Sequence, residues 1–183
     1  MPISAQPMTR PSAGEYAPYY DRYISLVSGD DILATLKSQG DSFSELFSGR
    51  SDLDADYRYA PGKWSVKEVL GHINDAERVF SYRALRIARG DTTPIEGFEQ
   101  DDYVRNGPFP LCRLSDLVQE FRDVRAATLS LFHNLQPEAW TRRGVANKNE
   151  IVVRAIPYII AGHTIHHRRI LEEKYFAVRA AAS

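Results

Sequence analysis

Three histidines carry the chemistry this sequence suggests. His163 and His167 stand four residues apart in one helix-like segment, and His72 lies in another. An i, i+4 pair shares a helical face with about 5–6 Å between Cβ atoms, so both rings can reach one metal ion. Three neutral imidazoles with a fourth position open form the ligand set of a catalytic zinc-type site.

Helical geometry sharpens the pattern. At 100° per residue, with Ile156 at zero, His163 and His167 fall about 20° to either side, in the centre of an apolar stripe. His166 lies about 80° away, at the stripe margin, and His72 sits about 60° from Val69 on its own helix. Core-facing histidines without partners carry a desolvation penalty. A shared metal relieves it, and so does ordinary hydrogen bonding; spacing leaves both readings open. Gly71 and Gly162 immediately precede His72 and His163. Each costs a helix about 1 kcal/mol relative to alanine. Close helix approach around an open site at a bundle end would account for them, and chance placement is the rival.

Other chemistries lack their residues. Thr164 stands where H-E-x-x-H needs its glutamate. A di-iron carboxylate bundle needs Glu-x-x-His on two helices, but Glu68 is four before His72 and Ile160 is three before His163. There is no G-x-S-x-G, Walker A loop or dinucleotide fingerprint. Asp75 and Glu77 follow His72 closely, yet neither is placed as a general base; Asp75 reads as a supporting contact or surface charge.

Composition narrows the class further. A formal net charge of −1 gives no basic excess for nucleic acid. Arg83, Arg86 and Arg89 make one local basic run, read as a solvated helix face. The longest apolar stretch, 151–162, contains Arg154 and Pro157 and is too short to span a bilayer. Cys112 is the single cysteine, so no intramolecular disulfide forms, which suits a cytoplasmic protein. Pro2, Pro7, Pro11 and Pro18 interrupt the start of the chain, and no signal peptide is expected.

Four amphipathic segments must position the histidines. The first starts at Asp30 or Asp31 and stops by Gly49. The second opens on a Ser65–Glu68 capping box and ends at Gly90. Residues 91–114 lack periodicity and read as a crossover or a cover over the site. Ser115 caps the third helix, which ends before Pro137. The fourth spans about 150–176 with a bend at Pro157, or else begins near Ala155 with Pro157 in its first turn. No strand alternation is evident. The fold class is all-α, a four-helix bundle. Residues 1–28 form an arm whose Tyr16, Tyr19, Tyr20 and Tyr23 pack on the body, residues 29–176 the bundle, and residues 177–183 a flexible tail. Trp64, Phe98, Tyr103 and Phe109 are candidates for a pocket lining, with plain packing as the alternative for each.

Two motifs resemble a known family. Pro61-Gly62-Lys63-Trp64-Ser65-Val66-Lys67-Glu68-Val69-Leu70-Gly71-His72, followed by Asp75-Ala76-Glu77-Arg78, resembles the second-helix signature of the DinB-like superfamily. Ala161-Gly162-His163-Thr164-Ile165-His166-His167 resembles its fourth-helix signature. The resemblance implies a DinB/YfiT-like bundle with a long crossover connection. It also implies a divalent metal, nickel or zinc, held by His72, His163 and His167. Relatives include thiol S-transferases and mycothiol-dependent isomerases. The implied function is therefore a metal-dependent enzyme on small molecules, a thiol S-transferase with a low-molecular-weight thiol co-substrate, or a hydrolase. The alternative is a non-catalytic, metal-stapled binding module. A homodimer is the expected assembly, with no nucleic-acid or membrane partner.

Overall fold

The structure, a computed structural model, describes residues 9–177. Residues 178–183 of the expected tail and residues 1–8 of the arm lie outside the described residues.

In chain order the helices are α1 (Asp21–Ile24), α2 (Ile32–Glu45), α3 (Asp52–Ala55), α4 (Val66–Ala88), α5 (Gln100–Asn106), α6 (Leu114–His133) and α7 (Ala155–Ile170). A π-helical stretch, Leu171–Phe176, continues α7. The four long helices form the bundle. α2 and α4 each pack against both α6 and α7, so consecutive long helices α2 and α4 stand diagonally opposite.

Local chemistry fixes the helix ends. Asp31 caps α2 by accepting from the Ala34 N–H at 2.9 Å. Ser65 and Glu68 close a reciprocal capping box on α4, and Gly90, at φ +82°, follows its end. The expected Ser115 cap is not used. α6 starts two residues earlier, with Arg113 at the cap position, and the Leu114 N–H donates to Asp52 Oδ1 at 2.6 Å. A carboxylate from α3 thus satisfies a helix start sixty-two residues away. α7 begins at Ala155, which places Pro157 in the first turn, where the missing N–H has no intrahelical bond to lose.

Two further expectations are corrected. Residues 143–152 are not irregular: strands β1 (Arg143–Ala146) and β2 (Asn149–Val152) pair antiparallel, Ala146 opposite Asn149. Asn147 and Lys148, both with positive φ, make the two-residue turn. The crossover is also partly ordered as α5, and Ile95 bridges to Ala146.

The apolar interior divides into two clusters. One gathers Ile32, Leu36, Phe80, Ala84, Phe132 and Ile156–Ala161. The other gathers Phe43, Val69, Ile73, Phe109, Phe121, Leu171 and Tyr175. On α7 the residues between them are His163, Thr164 and His167, all buried. On α6 they are Arg125 and Thr128, also buried. The histidines therefore sit part-way along the bundle rather than at its end. Burying this polar layer requires partners. Arg125 Nε and Nη2 donate to the two Glu77 oxygens, both at 2.8 Å. Arg125 also donates to the Leu36 carbonyl and the Thr164 hydroxyl. All four long helices meet in this network.

Candidate metal centre

The three predicted histidines come together. His72 Nε2 and His163 Nε2 are 3.1 Å apart, and His167 Nε2 is also 3.1 Å from His163 Nε2. All three ring nitrogens lie within 4.8 Å of one another. α7 sets the His163–His167 pair through its four-residue spacing, and α4 brings His72 across from a position ninety-one residues distant. Bound to one ion at about 2.0–2.1 Å, imidazole nitrogens in a tetrahedral set stand roughly 3.3 Å from each other. The observed separations fit that donor set. Hydrogen bonding suits it less well: His163 Nε2 faces two nitrogens and carries either one proton or one lone pair.

Electrostatics favours free lone pairs. Burial, with a smaller push from His166, lowers the pKa of His72 to about 4. Burial first, then the neighbouring imidazoles, holds His163 well below its ordinary value. His167 is lowered well below by burial and then His72. All three rings are neutral at pH 7, the protonation state a metal requires.

Aromatic rings frame the cluster. Trp64 lies 4.9 Å from His72 between ring centroids. Tyr23 meets His163 edge-on at 5.3 Å and the half-buried His166 at 5.5 Å. The two glycines make this possible, though not through helix–helix approach. A Cβ on Gly71 would lie 2.3 Å from the Phe109 ring, and one on Gly162 would lie 2.0 Å from the Tyr23 carbonyl oxygen. The crossover and the arm, not a facing long helix, occupy the spaces the glycines leave.

A cleft of about 310 Å³ opens onto the cluster. His72 and His163 line it, with Tyr20, Tyr23, Phe80 and Arg83. Phe98 joins them, while Phe109 packs in the core and Tyr103 is exposed. The volume suits a small molecule. Arg83 corrects the solvated-face reading of the basic run, because it is 2% exposed. Its position carried a signal: it lies three after Phe80 and four before Ile87, on the apolar stripe itself. Glu77 is likewise not beside the histidines but paired with Arg125.

The sequence matches the DinB superfamily over residues 35–171, and the chain belongs to that superfamily. No curated protein sequence matches significantly. Among solved structures, YfiT from Bacillus subtilis superposes with a TM-score of 0.74 at 17% identity, covering 94% of this chain and 98% of that one. It is described as a probable metal-dependent hydrolase with an unusual four-helix bundle topology. A mycothiol-dependent maleylpyruvate isomerase gives a TM-score of 0.64 at 11% identity, covering 79% of this chain and 61% of that one. At these identities the likeness is one of fold. No helix among the described residues is long and apolar enough to cross a membrane.

Proposed function

We propose that this protein is a divalent-metal-dependent enzyme acting on small molecules, with His72, His163 and His167 as the metal ligands and nickel or zinc as the ion. The observation that carries the reading is the convergence of three buried Nε2 atoms at 3.1 Å spacing beside an open cleft. When bound, such an ion supplies Lewis-acid polarisation and lowers the pKa of a thiol or water.

Thiol transfer to a small electrophile is the favoured reaction. The thiol gives up its proton to solvent, its sulfur bonds to the electrophilic carbon, and the leaving group departs with its electron pair. The chain's own part is positional. The three imidazoles stay neutral because they are buried, Tyr23 and Trp64 hold two of the rings by an edge-on and a tilted contact, and Tyr20 and Phe80 give the cleft an apolar wall. Hydrolysis is the second reading, supported by the description of YfiT.

Metal content of tag-free protein, beside His163→Ala and His167→Ala, tests the ligand assignment. About one ion per chain in the wild type, lost in both variants, is the expected result. A screen of thiols with small electrophiles, run beside ester hydrolysis, then separates the two reactions. Metal-stapled protein with no turnover in either assay would instead support a binding module.

A further inference from the structure

We propose that Arg83 anchors an anionic group, foremost a carboxylate, on the small molecule whose other end reaches the three histidines. This inference deepens the metal-enzyme reading above by naming a substrate class.

Two arginines are buried in this molecule to the same degree, each 2% exposed, and their surroundings differ sharply. Arg125 makes a two-pronged ion pair with Glu77 and further bonds to Leu36 and Thr164. Arg83 joins no ion pair among the described residues. Its Nε has no hydrogen-bond partner, and Nη2 makes a long 3.3 Å bond to the Glu96 carbonyl. Its remaining company is the Tyr20 hydroxyl and the face of Phe80, 5.4 Å from the guanidinium carbon. A buried cation without a counter-charge is costly. A guanidinium presents paired N–H donors that match a carboxylate in two-pronged geometry.

The placement gives this charge a use. Arg83 lines the same cleft as His72 and His163. It is eleven residues after His72 on α4, three turns on, which returns it to the same face about 16 Å along the axis. Its guanidinium lies over the ring of Phe80, three residues nearer to His72 on the same helix. The two ends of the cleft thus stand on the order of 10 Å apart. An extended molecule with a thiol or electrophilic carbon at one end and a carboxylate at the other spans that distance. Glu99 and Asp101 also line the cleft, but both are exposed to water at its mouth and neither pairs with Arg83.

The test is an NMR titration of metal-free and zinc-loaded protein with mercaptocarboxylates from mercaptoacetate to mercaptohexanoate, each beside its uncharged amide. Wild-type protein is expected to bind the longer carboxylates at least about tenfold tighter than their amides, in both metal states. Arg83→Met should reduce that preference to below about twofold, while Arg83→Lys keeps part of it. Arg83→Met should also melt at the same temperature or higher, because an apolar side chain of similar volume replaces an unpaired buried charge. A wild type without carboxylate preference would overturn the proposal. So would an Arg83→Met variant that loses melting temperature yet keeps the preference, since Arg83 would then be structural. Zinc content, measured on the same samples, bears on the ligand assignment alone; a protein that binds no zinc but prefers carboxylates through Arg83 would sink the metal reading and keep this one.

Discussion

The carbonyl oxygen of Tyr23 lies over the Cα of Gly162, so close that a Cβ there would stand 2.0 Å from it. The clash is with backbone, which cannot turn aside as a side chain can. Gly162→Ala should therefore displace α1 from α7. Overpacking of this kind costs about 1–3 kcal/mol, against a gain of roughly 1 kcal/mol from the better helix former. We expect a net loss in urea denaturation and a changed His163 ring signal in NMR. An alanine variant at least as stable as wild type, with an unmoved His163 signal, would show that the arm does not rest on this glycine.

The Glu77–Arg125 pair should be indispensable singly and dispensable jointly. Glu77→Ala strands a buried guanidinium and is expected to cost about 3–5 kcal/mol. Replacing both partners together, by Leu at 77 and Met at 125, should recover most of that loss. Denaturant midpoints of the single and double variants give the coupling directly. Equal, small losses for both would mean that solvent reaches the pair.

Metal should stabilise the fold by mass action. At an ion concentration about a thousandfold above the dissociation constant, the gain is about 4 kcal/mol. Zinc or nickel should raise the melting temperature of wild-type protein and leave His163→Ala unchanged. His163 is the decisive choice because its Nε2 is the one that touches both of the others. An equal rise in the variant would move the binding site elsewhere.

Metal-free protein should weaken in mild acid. Burial pushes His72 down from 6.5 to about 4, and His163 and His167 are also lowered. The folded pKa values are depressed, so below about 6.5 the unfolded chain binds more protons. Stability present above that pH is lost as pH falls toward about 4 for His72, and the lowered His163 and His167 act in the same direction. The urea midpoint should fall between about pH 7 and about pH 5. A His72→Asn variant should show a shallower slope, and a flat wild-type profile would contradict the burial account.

Much of this was legible in the sequence because it is written in short-range spacing. The i, i+4 histidines, the Ser65–Glu68 box and the apolar stripes depend only on helix geometry. Pro157 in a first turn was one of two open readings. What spacing could not express is pairing across the chain. Glu77 and Arg125 are forty-eight residues apart, and an arginine on a helix reads as surface until its partner is known. The β-hairpin escaped because its strands are four residues long and its turn is Asn-Lys, without the glycine that usually marks one. Tyr23 looked like packing, which it is, but it packs on His163.

The diagonal placement of α2 and α4 has a bearing on the time at which the site comes into being. His72 meets His163 only across the α4–α7 contact, and Trp64, which covers His72, is held by a 2.7 Å bond from the Tyr175 hydroxyl. Nothing local to either half can assemble the trio. A chain emerging from the ribosome shows His72 without His163 and His167 for as long as synthesis has not passed α6, and one ligand of the three is a poor trap for an ion. Acquisition of metal would then be among the last events of biogenesis, and a metallated molecule would be one whose long-range docking is already complete.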